Sequence, residues 1–450
     1  MTGSARRRIW GWWFFDWAAQ PYATLLLTFI FAPYVKDLLG DGTAAQAAWG
    51  YGVGAAGIVI ALLAPILGAV ADKSGHRMLW IVLFSACYVA GASGLWLAHP
   101  EAFSLPLILF LFGLGLVGLE FATIFTNAML PDLGPRDQLG RISGTGWAFG
   151  YVGGLIALVA MLTLFAENAA GTTLIGREPA LGLDPATREG TRFVGPFVAL
   201  WYALFMIPFF LWARVPTSPP VATVRVALAT CLPELRATLA RLPRTPSLMS
   251  YLLSSMFYRD ALNGMYVFGG IYAAGVLGWS VVDVGIFGIL AVISGAVFSW
   301  VGGLADYRYG PKPVIVVCVV LLTLVGIGVI FVSRDSLFGM AVPSGSTLPD
   351  IAFYVLGATI GAAGGALQTA SRTMMVRQAN PARITESFGL YALAGKATSF
   401  LAPLSIGIAT DITGNQQAGI TPLVVLFLIG LFLLAFVRAD GEPEDRWHAS

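Results

Sequence analysis

Charge is what this sequence has least of. Only 11% of its 450 residues are Asp, Glu, Lys or Arg, whereas 57% are hydrophobic. Soluble globular domains usually carry about a quarter charged residues, so a chain this long could not build a water-exposed surface from so few. The formal net charge of +2 is also too small to indicate a nucleic-acid partner. The composition therefore indicates a protein whose solvent is largely the lipid bilayer.

Reactive and metal-binding residues are scarce as well. The three cysteines and three histidines lie far apart and match no disulfide or metal-ligand spacing. The sequence contains no P-loop and no Gly-rich nucleotide loop. It also shows no nucleophile placed with a base, and its loops are too short for a sensory output domain. We therefore expect no metal, no cofactor and no enzymatic activity, and we exclude ATP as an energy source.

Long apolar stretches dominate what remains. A membrane-crossing helix needs about 20 mostly apolar residues. Twelve stretches qualify: 10–35, 49–71, 78–98, 104–129, 142–166, 193–213, 247–275, 281–304, 313–332, 349–371, 385–410 and 420–438. They predict an all-α polytopic membrane protein with twelve transmembrane helices in two pseudo-symmetric six-helix bundles. The bundles are expected at 1–213 and 247–438, with a linker at 214–246 and a tail at 439–450.

The distribution of basic residues predicts the orientation of these spans. If the N-terminus is cytoplasmic, 19 Lys and Arg residues fall in inner segments and 5 in outer segments. The positive-inside rule then places both termini in the cytoplasm. The linker is basic and rich in proline, and residues 221–242 are compatible with an amphipathic helix on the membrane surface. The simpler alternative is a tether between the two bundles.

The two halves share a motif at the end of their second helix. Span 2 ends in a run from Gly68 to Asp72 that is followed by Arg77, and span 8 ends in a similar run to Asp306 that is followed by Arg308. Small residues allow neighbouring helices to approach closely. The carboxylate should meet the positive N-terminus of an adjacent helix or a basic side chain. The repetition supports an internal repeat.

The first of these runs resembles the loop 2–3 motif of the major facilitator superfamily. The resemblance implies two six-helix halves and a conformational latch formed by Gly68, Asp72, Arg77, Asp306 and Arg308. Further runs resemble the branch that contains the vacuolar amino-acid effluxers of autophagy and their bacterial relatives. They are Asp16–Tyr22, Glu120-Phe121, Asn127–Pro131, Arg259-Asp260, Gln368–Arg372, Glu386–Tyr391 and Lys396. In the superfamily, spans 1, 4, 7 and 10 line the central cavity.

The clearest candidate site lies in span 7. Arg259 and Asp260 lie about 18 Å from the start of this helix, near mid-membrane. Charged groups at this depth are unfavourable and usually mark a transport pathway. Adjacent residues point about 100° apart on a helix, so each needs a partner elsewhere. We hypothesise that Arg259, with Asn263 one turn away, binds an anionic group and that Asp260 binds an ammonium group or a proton. The alternative is a structural ion pair with Glu120 or Lys396.

Further polar groups lie on the predicted cavity helices. Glu120 shares one helix face with Thr123 and Asn127, and a carboxyl group in such a place suits a proton carrier. A salt bridge between the halves, for example with Lys396 in span 11, explains Glu120 equally well. Asp16 is compatible with a gate or with helix packing, and Gln368 lies near one end of span 10. Two neighbouring charges have simpler explanations, namely snorkelling for Arg372 and a helix N-terminus for Glu386.

These observations predict a secondary transporter in the cytoplasmic membrane. Its partners would be the lipid bilayer, a small polar solute and protons, and nothing implies an oligomer. The resemblance, and the nearness of a cation and an anion in span 7, favour an amino acid as the solute. A lipid or drug carrier on the same fold is the alternative, and an enzyme or a sensor is the more distant one.

Overall fold

A computed structural model describes residues 3–40, 42–168, 170–213, 223–279 and 281–443. The chain divides into two compact units, the first comprising the residues up to Leu133 together with Phe149–Ala227. The second comprises Gly134–Ala148 and the residues from Leu228 onward. The second unit therefore also contains the start of the fifth predicted span and the short segment before it. Residues 214–222 of the predicted linker and 444–450 of the predicted tail lie outside the described residues.

The first unit is built from helices. They are α1 (Gly3–Pro21), a π-helical segment (Tyr22–Phe29), α2 (Phe31–Leu39), α3 (Gly42–Ser74), α4 (Arg77–Gly94), α5 (Leu105–Asn127), α6 (Leu139–Leu164), α7 (Glu189–Arg192) and α8 (Val194–Trp212). The first turns of α6 belong to the second unit. Predicted span 1 is therefore not one regular helix, because a π-helical segment begins directly after Pro21. Proline lacks the amide hydrogen that a regular helix needs at that position. Tyr22, the first residue of the segment, is fully buried and donates to the Phe112 carbonyl over 2.5 Å.

The second unit contains the remaining helices. They are α9 (Val224–Arg241), α10 (Pro246–Val276), α11 (Val281–Tyr309), α12 (Pro311–Ile330), α13 (Leu348–Gln378), α14 (Ile384–Ala397), α15 (Leu401–Thr413), α16 (Gln416–Gly419) and α17 (Thr421–Ala435). Helix α9 begins at the boundary between the units and occupies the stretch in which an amphipathic helix was considered. Helices α11 and α13 pack closely, since a methyl group added at Gly365 would lie 2.5 Å from the Gly295 carbonyl oxygen.

The all-helical membrane architecture is confirmed, but the count of twelve spans is not. Eleven helical segments within the described residues are long and apolar enough to cross a membrane. Predicted span 7 corresponds to α10, which has 31 residues but is not among these eleven. Its length of about 46 Å would suffice at 1.5 Å per residue. Polar residues in its middle, among them Arg259 and Asp260, make it less apolar than the others, so the twelfth span stays a prediction.

Two local features depart from the sequence-based picture. Predicted span 11 is broken, because α14 ends at Ala397 and α15 begins at Leu401. Pro403, in the first turn of α15, cannot donate a backbone hydrogen bond and is tolerated only near a helix start. A short hairpin, β1 (Ser336–Leu337) with β2 (Met340–Ala341), lies between α12 and α13. Its two turn residues, Phe338 and Gly339, have φ values of 51° and 83°, as a two-residue hairpin turn requires.

Candidate functional site

Asp260 binds the start of the second half of the broken span. Its side chain is 2% exposed, and its Oδ2 accepts a hydrogen bond of 2.9 Å from the Ala402 amide. Ala402 is the second residue of α15, and the first amides of a helix have no partner within the helix. Asp260 therefore caps α15 from a different helix, where its negative charge also meets the positive end of the helix dipole. Its other oxygen, Oδ1, is buried and has no hydrogen-bond partner among the described residues.

Arg259 contacts the first half of the same span. Its guanidinium carbon lies 4.1 Å from the centre of the Tyr391 ring, and its Nη1 donates to the Tyr391 carbonyl over 3.0 Å. A methyl group at Gly395, one turn further along α14, would lie 2.6 Å from that nitrogen. Glycine at this position therefore leaves the space that the guanidinium occupies. Two adjacent residues of α10 thus contact the two halves of span 11 separately.

Lys396 lies at the break itself. It belongs to the last turn of α14, where the carbonyl ends of the helix favour a positive charge. The Ser399 hydroxyl donates to the Lys396 carbonyl over 3.0 Å, and the Thr398 hydroxyl contacts the Met256 carbonyl at 3.5 Å. The break therefore has a cation at the end of α14 and a carboxylate at the start of α15. The sequence predicted that Asp260 needs a partner, and the structure provides a backbone amide instead of the ion pair considered as an alternative.

The other predicted residues of the second unit lie on α10, α13 and α14. Asn263 is exposed on α10, one turn beyond Arg259, and Gln368 is half-buried on α13. The snorkelling role considered for Arg372 is wrong, since the residue is only 4% exposed and its guanidinium lies 5.1 Å from the centre of the Trp147 ring. Glu386 occupies the first turn of α14, in agreement with a favourable charge at a helix N-terminus.

The candidates of the first unit lie on α1 and α5. Glu120 is half-buried on α5, where the Thr123 hydroxyl donates to the Leu119 carbonyl over 2.7 Å. Asn127 is the last residue of α5, and its buried Oδ1 has no hydrogen-bond partner among the described residues. Asp16 is half-buried on α1. The polar stripe predicted on span 4 is therefore present on α5, and Asn127 offers an unused acceptor at its end.

The first copy of the repeated motif forms a local ion-pair network. Gly68 is buried near the end of α3, and Asp72 pairs with Arg77 at 3.2 Å. Arg77 also lies 3.6 Å from Asp132 and donates to the Ala128 carbonyl over 3.3 Å. The guanidinium therefore connects the end of α3 to the segment that follows α5. A basic side chain is one of the two partners expected for this carboxylate.

The second copy uses the other expected partner. Asp306 is 1% exposed and lies against Gly140, the second residue of α6, where a methyl group would lie 2.6 Å from its Cβ. Its carboxylate therefore faces the positive end of α6. The nearby cation is Arg377 of α13 and not the predicted Arg308, which is exposed and lies over the ring of its neighbour Tyr309. The two copies of the motif are thus alike in sequence but different in their contacts.

Sequence analysis missed the docking of the C-terminal segment. The Glu442 carboxylate is 8% exposed and accepts a hydrogen bond of 2.6 Å from the amide of Ser247, the second residue of α10. The Ser247 hydroxyl also contacts the Gln378 side chain at 2.6 Å. Arg136 donates to the Asp440 carbonyl over 3.0 Å. Glu442 therefore caps α10 as Asp260 caps α15, and no local sequence signal marks either pairing.

The fold is that of the major facilitator superfamily. It is similar to the proton:xylose symporter XylE, with a TM-score of 0.67 and 12% identity, covering 97% of this chain and 96% of that one. It is equally similar to a bacterial homologue of the iron transporter ferroportin, with a TM-score of 0.67 and 13% identity over 96% and 99% of the two chains. The chain is therefore a multi-pass membrane protein with a transporter fold.

Relatives in sequence narrow the assignment. The model of the family described as "Vacuole effluxer Atg22 like" matches residues 34–445, and the chain belongs to this family. An uncharacterized MFS-type transporter, YxiO of Bacillus subtilis, is 25% identical over 438 residues, 96% of this chain and 95% of that protein. Autophagy-related protein 22 of Cryptococcus neoformans is 25% identical over 308 residues, 67% of this chain. The chain spans about half the length of the fungal relatives, 50% in that case. The expectation of a secondary transporter, and not an enzyme, is confirmed.

Proposed function

We propose that this transporter moves an amino acid, or a closely similar small polar solute, across the cell membrane by alternating access. The observation that carries the proposal is that Arg259 and Asp260 form hydrogen bonds with the two separate halves of span 11. Substrate sites in secondary transporters commonly form where membrane helices are discontinuous. Unpaired backbone groups at such a break bind charged groups of the solute or the coupling ion.

The chemistry of the break matches a zwitterion. The cation Arg259 and the anion Asp260 are adjacent residues of α10, and they contact α14 and α15, respectively. A solute carboxylate would be recognised by the guanidinium, and a solute ammonium group by the carboxylate. The buried Oδ1 of Asp260 accepts no hydrogen bond from the described residues, so it can accept one from a further donor. We assign this oxygen to the ammonium group or to a coupled proton.

Proton coupling and orientation complete the proposal. Glu120 is another carboxylate on the predicted cavity helices, and we assign it a role in carrying the coupled proton. The excess of Lys and Arg in the inner segments supports cytoplasmic termini. The bacterial relative supports the cell membrane as the location.

Counterflow in proteoliposomes tests the proposal. Vesicles that contain the purified protein and a mixture of unlabelled amino acids are diluted into labelled ones, and accumulation of the label is followed. We expect accumulation with the natural protein and its loss in both Arg259→Gln and Asp260→Asn. Arg177→Gln, which removes an exposed arginine from a loop, is the matched control and should retain transport. Folded natural protein that accumulates no amino acid would refute the substrate assignment and would favour a lipid or drug as the solute.

A further inference from the structure

A cleft at the start of α10 and α14 carries the marks of an anion site outside the proposed transport site. The turn after α9 and the first residues of these two helices enclose it. We call it the arginine cleft, because Arg241, Arg244 and Arg383 are among the residues that line it. Because both helices begin here, the cleft lies where predicted spans 7 and 11 leave the membrane. The predicted orientation places it on the cytoplasmic side.

Positive charge exceeds negative charge in this cleft. Three of the lining residues are arginines, and one, Glu386, is acidic. Glu386 is 2% exposed and already accepts hydrogen bonds from Thr238 at 2.6 Å and from Arg383 at 3.4 Å. Arg241 and Arg244 are exposed, and neither side chain has an ion pair or a hydrogen bond within the described part of the chain. Within this part of the chain, two guanidinium groups therefore lie at the rim of the cleft without a carboxylate partner.

The N-termini of α10 and α14 add to the positive electrostatic potential that the arginines create in the cleft. Thr245 directly precedes α10 and Arg383 directly precedes α14, so the positive ends of both helix dipoles lie at the cleft. Both ends already attract carboxylates of this chain, Glu386 at α14 and Glu442 at α10. Arg241 and Arg244 add positive charge at the solvent-exposed side of the cleft, where a further anion would be stabilised.

The uncharged part of the lining combines four polar residues with three leucines. Leu242, Leu248 and Leu390 form part of the wall, and Leu248 and Leu390 are 4% and 3% exposed. Leucine side chains beside guanidinium groups suit a molecule that has an anionic phosphate at one end and hydrocarbon at the other. Clusters of basic residues beside a membrane helix bind anionic lipid headgroups. Guanidinium groups also bind free phosphate through paired hydrogen bonds.

We propose that the arginine cleft binds an anionic phosphate group, carried by a membrane lipid or free in solution, through Arg241, Arg244 and Arg383. The occupant would hold the turn after α9 against the starts of α10 and α14. The proposal does not depend on which solute the protein transports, and it concerns binding and not transport.

Ligand-induced stabilisation of the full-length protein in neutral detergent tests this proposal. A ligand that binds the folded state raises the unfolding midpoint in a concentration-dependent way. The protein is titrated with short-chain phosphatidylglycerol in one arm and with inorganic phosphate in the other. Short-chain phosphatidylcholine and sodium chloride at equal ionic strength are the respective references. Tryptophan fluorescence follows unfolding, and circular dichroism verifies that each variant retains its helices.

The double variant Arg241→Gln/Arg244→Gln is compared with Arg141→Gln/Arg177→Gln, which removes two exposed arginines elsewhere. We expect the cleft variant to bind the anionic ligand about thirtyfold more weakly than the control variant. A loss confined to phosphatidylglycerol identifies a lipid as the source of the phosphate, and a loss in both arms identifies the phosphate group alone. Equal affinities of the two double variants in both arms would overturn the proposal.

Discussion

Asp260 of α10 and Ala402 of α15 are 142 residues apart in sequence, and a hydrogen bond of 2.9 Å joins the carboxylate of one to the amide of the other. The bond supplies the first turn of α15 with a cap that its own sequence does not provide, since the residue before α15 is Phe400. The same carboxylate has a second oxygen that is buried and unbonded among the described residues. One side chain thus combines a structural role with a free acceptor.

Substitutions at Asp260 should separate these two roles. Asp260→Asn retains an acceptor oxygen for the Ala402 amide but loses the charge, so we expect a folded protein that has lost transport. Asp260→Ala leaves that amide without a partner and should lower the free energy of unfolding by about 1–3 kcal/mol. Denaturant unfolding in detergent, together with counterflow, measures both effects. Equal stability of the two variants would show that the cap contributes nothing to the fold.

Gly395 should control the position of the Arg259 guanidinium. Gly395→Ala places a methyl group 2.6 Å from Nη1, so the guanidinium must leave the Tyr391 ring. Displacing the group proposed to bind the solute carboxylate should raise the substrate KM about tenfold, which corresponds to about 1.4 kcal/mol of binding free energy. Gly407→Ala on α15 is the matched control, because a methyl group there meets nothing within 4 Å. Concentration-dependent uptake compares the two, and an unchanged KM in Gly395→Ala would argue against a binding role for Arg259.

Substitutions of Arg377, the cation near Asp306, and of Arg308, the cation of the motif, should differ in their effect on stability. Arg377→Gln removes the cation near the buried Asp306, and we expect the free energy of unfolding to fall by about 1–3 kcal/mol. Arg308 is exposed, so Arg308→Gln should stay within about 0.5 kcal/mol of the natural protein. Denaturant unfolding measures both variants. The sequence repeat alone predicts the reverse order, so finding Arg308→Gln the more damaging substitution would reject the structural assignment.

Glu120 should couple transport to protons without binding the solute. Glu120→Gln keeps the size and hydrogen-bonding capacity of the side chain but cannot release a proton. We expect it to abolish uptake driven by a pH gradient and to retain exchange of labelled for unlabelled solute. Thr123→Val, on the same face of α5, is the control and should preserve both. Loss of exchange together with driven uptake would instead indicate a structural or substrate-binding role for Glu120.

The bilayer explains why so much of the architecture could be predicted. A membrane-spanning chain needs apolar helices of a minimum length and an asymmetric distribution of Lys and Arg. Both properties can be recognised from short stretches of the sequence. Charge inside an apolar span is equally visible, and this made Arg259, Asp260 and Glu120 candidates. Such signals need no knowledge of which helices are neighbours.

The partners of these residues could not be predicted. The Ala402 amide and the Tyr391 carbonyl are backbone groups, and every residue except proline carries both, so no residue type marks them as partners. The repeated motif shows the same limit, because Asp72 and Asp306 look equivalent in sequence but meet Arg77 and the start of α6. The π-helical segment after Pro21 and the interruption between α14 and α15 were not predicted either, because the apolar pattern continues through both.

The broken span also has a consequence for the synthesis of the protein. Helices α14 and α15 have 14 and 13 residues, and neither is long enough alone to cross the bilayer. Helix α10 is synthesised well before α14 and α15. While it is in or near the translocon, its Arg259 and Asp260 therefore lack their hydrogen-bond partners, the Tyr391 carbonyl and the Ala402 amide. Insertion of α10 into the lipid should therefore be completed only after α15 has been made. A nascent chain halted before Ala402 would expose α10 to quality-control proteases, whereas one halted after α17 would not.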